Sequence, residues 1–236
     1  MDKRQLQRSM YEVGGASIAQ RVTLAVLAAA CVLFAWWMLA AGGLGVLGSS
    51  LGRTWRAGNV ARRIFLAAAF SIYYVRILFT EFVFLKRGIS WSEVFTIAPW
   101  LLIIVLLLGI AGGTNAMLFG TLAAIGGVAF ITGSWVNTYA EYTRHVWKQR
   151  PKNRGRLYTE GLFRYSRHPN YFGDLLSFSG LCLISGVWAT AIIPLLMLAG
   201  FVFVNIPVLD AHLREHYGSA FDEYARHTPK LVPFLY

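Results

Sequence analysis

The chain has 236 residues, 56% of them hydrophobic and only 14% charged, with a formal net charge of +11. A soluble domain carries about 25% charged residues, so this composition excludes an ordinary water-soluble domain and predicts a single integral membrane domain over residues 1–236. The positive charge then belongs to loops beside anionic lipid and not to a nucleic-acid surface.

Residues 1–21 are polar and basic and read as a cytoplasmic lead-in. No small-residue cleavage site follows Lys3, Arg4 and Arg8, so this is not a removable signal. The first span covers 22–47, and its glycine-rich end (Gly42, Gly43, Gly45, Gly48) should allow close packing or a bend. A connector with Arg53, Arg56, Arg62 and Arg63 leads to a second span, 64–85, that contains Tyr73, Tyr74, Arg76, Thr80 and Glu81. A charge inside a span costs about 2.5–3.5 kcal/mol, so Arg76 and Glu81 should face the bundle interior or a wet cavity. Tyr73, Arg76 and Thr80 share one helical face, and Glu81 lies beside Tyr74 on a neighbouring one. Tyr73 or Glu81 could serve there as a proton donor. The third span is near 96–110, and Gly112-Gly113-Thr114-Asn115 reads as a tight turn. The fourth, 117–136, should continue as helix through Asn137, Glu141 and Lys148. Residues 175–209 are long enough for a hairpin of two spans turning near Gly186. The expected fold is an all-α polytopic bundle of six transmembrane helices, seven being the other count, with both termini cytoplasmic. The first connector, with its four arginines, breaks that orientation rule.

Candidate chemistry gathers at one end of this bundle. Asn137 and Glu141 stand one helical turn apart, followed by Lys148 and Arg156. The stretch 161–174 then packs Arg164, Tyr165, Arg167, His168, Asn170, Tyr171 and Asp174 around Pro169, which pushes His168 toward extended geometry. A topogenic loop needs only Lys and Arg. Amides and carboxylates suit a ribose, and cations suit phosphates, so a nucleotide-type cofactor accounts for the whole set. No Gly-x-Gly-x-x-Gly, Walker loop or strand–helix alternation accompanies it, which excludes a Rossmann domain. Cys31 and Cys182 lie in apolar runs, no zinc-type spacing occurs, and no Ser/His/Asp arrangement suggests a hydrolase.

The run Arg-His-Pro-Asn-Tyr-Phe-Gly-Asp, residues 167–174, resembles the signature shared by membrane steroid and sterol reductases and isoprenylcysteine-type methyltransferases. The tail, 217–236, is similar to the C-termini of both branches, and the likeness covers about 130–236. The series Asn137, Glu141, Lys148, Arg156, Asn170 and Asp174 is similar to the NADPH-binding series of steroid 5α-reductases, and Asn-Tyr-Phe-Gly-Asp-Leu-Leu is close to a run in Δ14-sterol reductases. The resemblance implies an NADPH-dependent reductase of an activated C=C bond in a lipophilic, steroid- or isoprenoid-like substrate drawn from the membrane. Lys148, Arg156, Arg164 and Arg167 would meet the phosphates, and Tyr73 or Glu81 would supply the acid. The Gln-Glu pair of steroid 5α-reductases is missing, although Tyr73-Tyr74-Val75-Arg76 is similar to their tyrosine-and-arginine span. The alternatives are a methyltransferase of the isoprenylcysteine carboxyl type using S-adenosylmethionine, and a non-catalytic lipid-binding membrane protein. In the methyltransferase branch a paired Glu-Glu of the last helix would fall on Leu209 and Asp210. The tail places Leu213, Tyr217, Ala220, Phe221 and Tyr224 on one apolar stripe. His212, at the start of this helix, falls where the resemblance implies a cofactor contact, and Tyr224 joins the same set. With Pro229 and Pro233 stiffening its end, the tail is expected to fold back over 161–174 and clasp the cofactor site.

Overall fold

A computed structural model describes residues 17–235, and every regular element among them is helical. Most of the expected lead-in, residues 1–16, lies outside the described residues. Helix α1 (Ile18–Ala40) stops at Ala41, and Gly42, at φ +83°, redirects the chain into the short α2 (Gly43–Ser50). This is the bend expected of the glycine-rich end. Helix α3 (Val60–Phe79) starts at Asn59, whose side chain accepts the Arg62 amide at 3.1 Å, and runs into a π turn, Thr80–Phe84. Helix α4 (Trp91–Thr114) opens with a capping box of Ser90 and Glu93. Helix α5 (Thr121–Gln149) carries Asn137, Glu141 and Lys148 without interruption, as its sequence predicts. Helix α6 (Pro169–Ser185) ends at Gly186, at φ +68°, and the chain returns through α7 (Ile192–Gly200), a second π turn (Phe201–Asn205) and α8 (Ile206–Tyr217). Helix α9 (Ser219–His227) is the last described helix, followed by an irregular segment to 235.

Among the described residues, four helical rods are long and apolar enough to cross a membrane: Ile18–Ala40, Val60–Phe84, Trp91–Thr114 and Trp188–Tyr217. The count of six is not reached on that criterion. Helix α5 turns polar in its second half, and α6 has 17 residues where about 20 span a bilayer. The expected turn at Gly112–Asn115 also shifts. Gly112 and Gly113 are helical, and a Cβ on Gly113 would lie 2.7 Å from Leu44 and 2.8 Å from Leu39. Gly113 lets α4 pack against α1 and α2, Gly112 lets it pack against Leu66 of α3 and Ser185 of α6, and the turn begins only at Asn115.

The closest helix pair is α5 and α6, and glycine sets their separation. Gly126 and Gly133 on α5 face Gly180 and Gly173 on α6. A Cβ on Gly180 would come within 2.5 Å of the Gly126 carbonyl, and one on Gly173 within 2.6 Å of the Asn137 nitrogen. Backbone meets backbone along this seam. The seam continues into Asn137 and Glu141, and so decides what those side chains can reach.

Two of the four arginines of the first connector have structural roles. Arg62, 3% exposed, donates to the carbonyl of Ile184 in the last turn of α6 and, at 3.1 Å each, to Met117 and Leu118. Arg63 donates to Leu39 O, near the end of α1, at 2.7 Å. Both satisfy carbonyls that a helix end leaves without partners. They are structural caps, withdrawn from the loop's surface charge.

Candidate functional site

Where the α5–α6 seam meets α3, a polar network spans three helices. Arg76 reaches from α3 to Asp174 on α6 at 2.6 Å and to Ser134 on α5 at 3.3 Å. The Asn137 amide donates to the Asn170 carbonyl at 3.0 Å, and the Asn170 amide donates to Glu141 Oε1 at 2.9 Å. Arg144, one turn further along α5, holds the other oxygen of Glu141. Pro169 is the reason Asn170 can do this. It occupies the first turn of α6, where its missing N–H costs nothing, and delivers Asn170 and Asp174 on one face.

All of these polar groups except Ser134 and Arg144 line a cavity of about 610 Å³. Tyr73, Glu81, Asn137, Glu141, Asn170, Tyr171 and Asp174, singled out from the sequence, all reach it. Both π turns contribute, one with Thr80 and Glu81, the other with Phe201 and Asn205. The inserted residue of a π turn swings side chains off the ordinary helical face, which suits a site wall. Much of the rest of the lining is apolar, with Leu24, Ile97, Trp100, Leu101, Leu196 and Met197. The Tyr73 ring meets Phe178 edge-on at 5.1 Å and lies under the Arg76 guanidinium at 5.1 Å. The second cavity, about 400 Å³, shares Glu141 with the first and is lined by Lys86, Arg144, His145, Lys148, His212 and His216. Lys148 and His212 thus sit beside the site.

The other predicted residues are placed elsewhere. Arg156, Arg164 and Tyr165 are exposed and line neither cavity. Arg167 faces a separate cleft of about 760 Å³ on the other side of the stretch. Its guanidinium is held by Asp210 at 2.9 Å and by the Ala225 carbonyl at 3.0 Å. His168, 1% exposed, shares the same Asp210 at 2.9 Å. Asp210 therefore fastens two consecutive residues of the stretch to α8. The His168 ring then stacks on Tyr171 at 5.3 Å, and Tyr171 on Phe201 at 4.5 Å, which carries this anchor to the cavity wall. Tyr224 donates to Phe163 O at 2.6 Å, and burial pushes its phenol well above the ordinary tyrosine value. Asn205 and Trp100 were not foreseen. Asn205 had a signal, as the one amide in the apolar run 187–209; Trp100 had none.

A family model described as "Protein of unknown function (DUF1295)" matches residues 74–228, more than half of the chain. The chain belongs to the DUF1295 family. The matched span includes Arg76, Glu81, the α5–α6 seam and α9, so every charged residue lining the cavity lies within the family's boundaries. Curated relatives match more locally. The chain is 31% identical over 91 residues to Protein-S-isoprenylcysteine O-methyltransferase B of Arabidopsis thaliana, covering 39% of this chain and 46% of that protein. It is 28% identical over 133 residues to a Probable protein-S-isoprenylcysteine O-methyltransferase of Oryza sativa subsp. indica, covering 52% and 70%. A stretch of 63 residues is 43% identical to Probable O-methyltransferase ustE of Ustilaginoidea virens, covering 27% and 22%. The chain thus spans less than half the length of the Arabidopsis and Ustilaginoidea relatives. With its four apolar helices, this DUF1295 protein is an integral membrane protein of the broad reductase- and methyltransferase-like group.

Proposed function

We propose that this DUF1295 protein is an S-adenosylmethionine-dependent methyltransferase acting on a lipophilic acceptor. The observation that carries the reading is the charge of the 610 Å³ cavity, where three carboxylates (Glu81, Glu141, Asp174) and one guanidinium (Arg76) line the wall and Arg144 compensates Glu141 from outside it, which leaves one carboxylate charge in excess. That lining suits a cationic donor better than a dinucleotide with its phosphates. The arginines that the reductase reading assigns to phosphates, Arg156, Arg164 and Arg167, point to solvent or to the separate cleft. The relatives, each an O-methyltransferase by name, add weight on the same side.

The donor set fits the group. S-adenosylmethionine, when bound, supplies an electrophilic methyl on a positively charged sulfur. Asn137, Asn170 and Glu141 offer an amide–carboxylate array for its hydroxyl and amino groups. The apolar lining, from Leu24 to Met197, would take the acceptor's hydrocarbon body and exclude water from the reacting groups.

One observation favours a second reading, an NADPH-dependent reductase of an activated C=C bond. The adjoining 400 Å³ cavity is basic and touches the first at Glu141, so phosphates could lie beside Lys148 and His212. Thermal unfolding of the detergent-solubilised protein separates the two. S-adenosylmethionine should stabilise it by about 2.7 kcal/mol at a hundred times its dissociation constant, and NADPH by less. The opposite ranking would make the reductase the better account.

A further inference from the structure

Among the described residues, Glu81 is the one carboxylate lining the 610 Å³ cavity that has no hydrogen-bond or ion-pair partner. Asp174 is matched by Arg76, and Glu141 by Arg144 and the Asn170 amide. Glu81 is 8% exposed, lines the cavity, and its Oε2 has no hydrogen-bond partner among the described residues. Two cations act on it electrostatically, Arg21 and Arg87, and each hydrogen-bonds to other groups. Arg21 donates to Ser17 and to the carbonyls of Leu85 and Arg87, and Arg87 donates to Gly88 O and to Glu93. A carboxylate held this deep without a donor is costly. The π turn at Thr80–Phe84 nonetheless presents it to the cavity.

We infer that the acceptor is an amphiphile whose headgroup is a protonated amine, donating its N–H groups to Glu81 while its alkyl body lies along Leu24, Ile97 and Trp100. The word acceptor rests on the methyl-transfer reading; the amine site does not. A carboxylate headgroup would enter a cavity that already holds three carboxylates, and an alcohol would leave the charge of Glu81 unmatched. An ammonium meets both conditions; for methyl transfer Glu81 would first take one of its protons, so that the neutral amine's lone pair forms the N–CH3 bond as the S–CH3 bond breaks and S-adenosylhomocysteine leaves.

The test uses the full chain in detergent with no cofactor, and measures binding of octylamine, octanol and octanoate near pH 7 by equilibrium dialysis and thermal shift. Octylamine should bind at least about tenfold more tightly than octanol, as one charge-assisted hydrogen bond provides, with octanoate weakest. Glu81→Gln should reduce octylamine to the affinity of octanol and leave octanol unchanged. Equal binding of the three probes, a preference for octanoate, or an octylamine preference that survives Glu81→Gln would overturn the proposal. The wild-type ranking is decisive by itself if the variant does not fold. S-adenosylmethionine affinity is measured on the same preparation. An amine preference without S-adenosylmethionine binding supports the Glu81 site and removes the methyl-transfer reading; S-adenosylmethionine binding without an amine preference does the reverse.

Discussion

Arg76 and Asp174 approach to 2.6 Å with side chains only 10% and 19% exposed. At that depth, losing one partner leaves the other's charge without compensation, which costs about 3–5 kcal/mol, whereas replacing both by apolar groups is close to neutral. Asp174→Ala should therefore lower the melting temperature sharply, and adding Arg76→Met should recover most of the loss without recovering activity. Thermal unfolding and turnover of the same detergent preparations check both halves; a double variant no more stable than Asp174→Ala would mean that the pair is not the source of the loss. Glu81 should behave in the opposite way. Its oxygen has no partner to lose, so Glu81→Gln should melt at or above the wild-type temperature while impairing ligand binding. A marked fall in stability would identify Glu81 as an ordinary structural carboxylate.

At the scale of elements, the α5–α6 seam controls the site because the spacing of Gly133 and Gly173 sets the spacing of Asn137 and Asn170. A methyl group on Gly173 would meet main-chain atoms, which cannot rotate away, so Gly173→Ala should cost about 1–3 kcal/mol and weaken cofactor binding together with stability. Gly120→Ala is the control: nothing lies within 4 Å of its Cβ position, and both readouts should stay at wild-type values. Some of this was legible in the sequence. Asn137 and Glu141 sit at helical spacing in a long periodic segment, and so did Tyr73, Arg76 and Thr80, so their shared faces followed from 3.6 residues per turn. The 161–174 stretch has no such period. Nothing in it distinguished Arg167, which turns to Asp210 and the outer cleft, from Asn170, which turns into the cavity. The two π turns were equally silent, because one inserted residue leaves no compositional trace. Arg62 and Arg63 misled for another reason: a cation in a connector looks the same whether it faces lipid headgroups or caps a distant helix.

Over the whole molecule, the 161–174 stretch is held from two sides. Helix α8 holds it through Asp210, and the last residues hold it by main-chain bonds. The Arg167 amide donates to Pro229 O at 2.8 Å, and the Ser166 hydroxyl donates to Leu231 O at 2.8 Å. Ser166 and Leu231 are fully buried, as is Phe221 on α9. The expected fold-back of the tail is thus present as packing, and its effect on the cofactor is open to experiment. Ending the chain at His227 would keep α9 but leave the Ser166 hydroxyl and the Arg167 amide without acceptors, at about 1–3 kcal/mol each. Tyr224 would still hold Phe163. Its raised phenol pKa keeps it protonated in the fold, so that contact is fully present below about pH 10 and fades only as pH rises beyond it. The truncated protein should therefore insert and keep its helix content, yet bind S-adenosylmethionine at least about tenfold more weakly, because Asn170 and Asp174 follow directly from the loosened segment. Titration of both proteins in the same detergent decides it, and wild-type affinity in the truncated form would show that the tail packs against the stretch without serving the site.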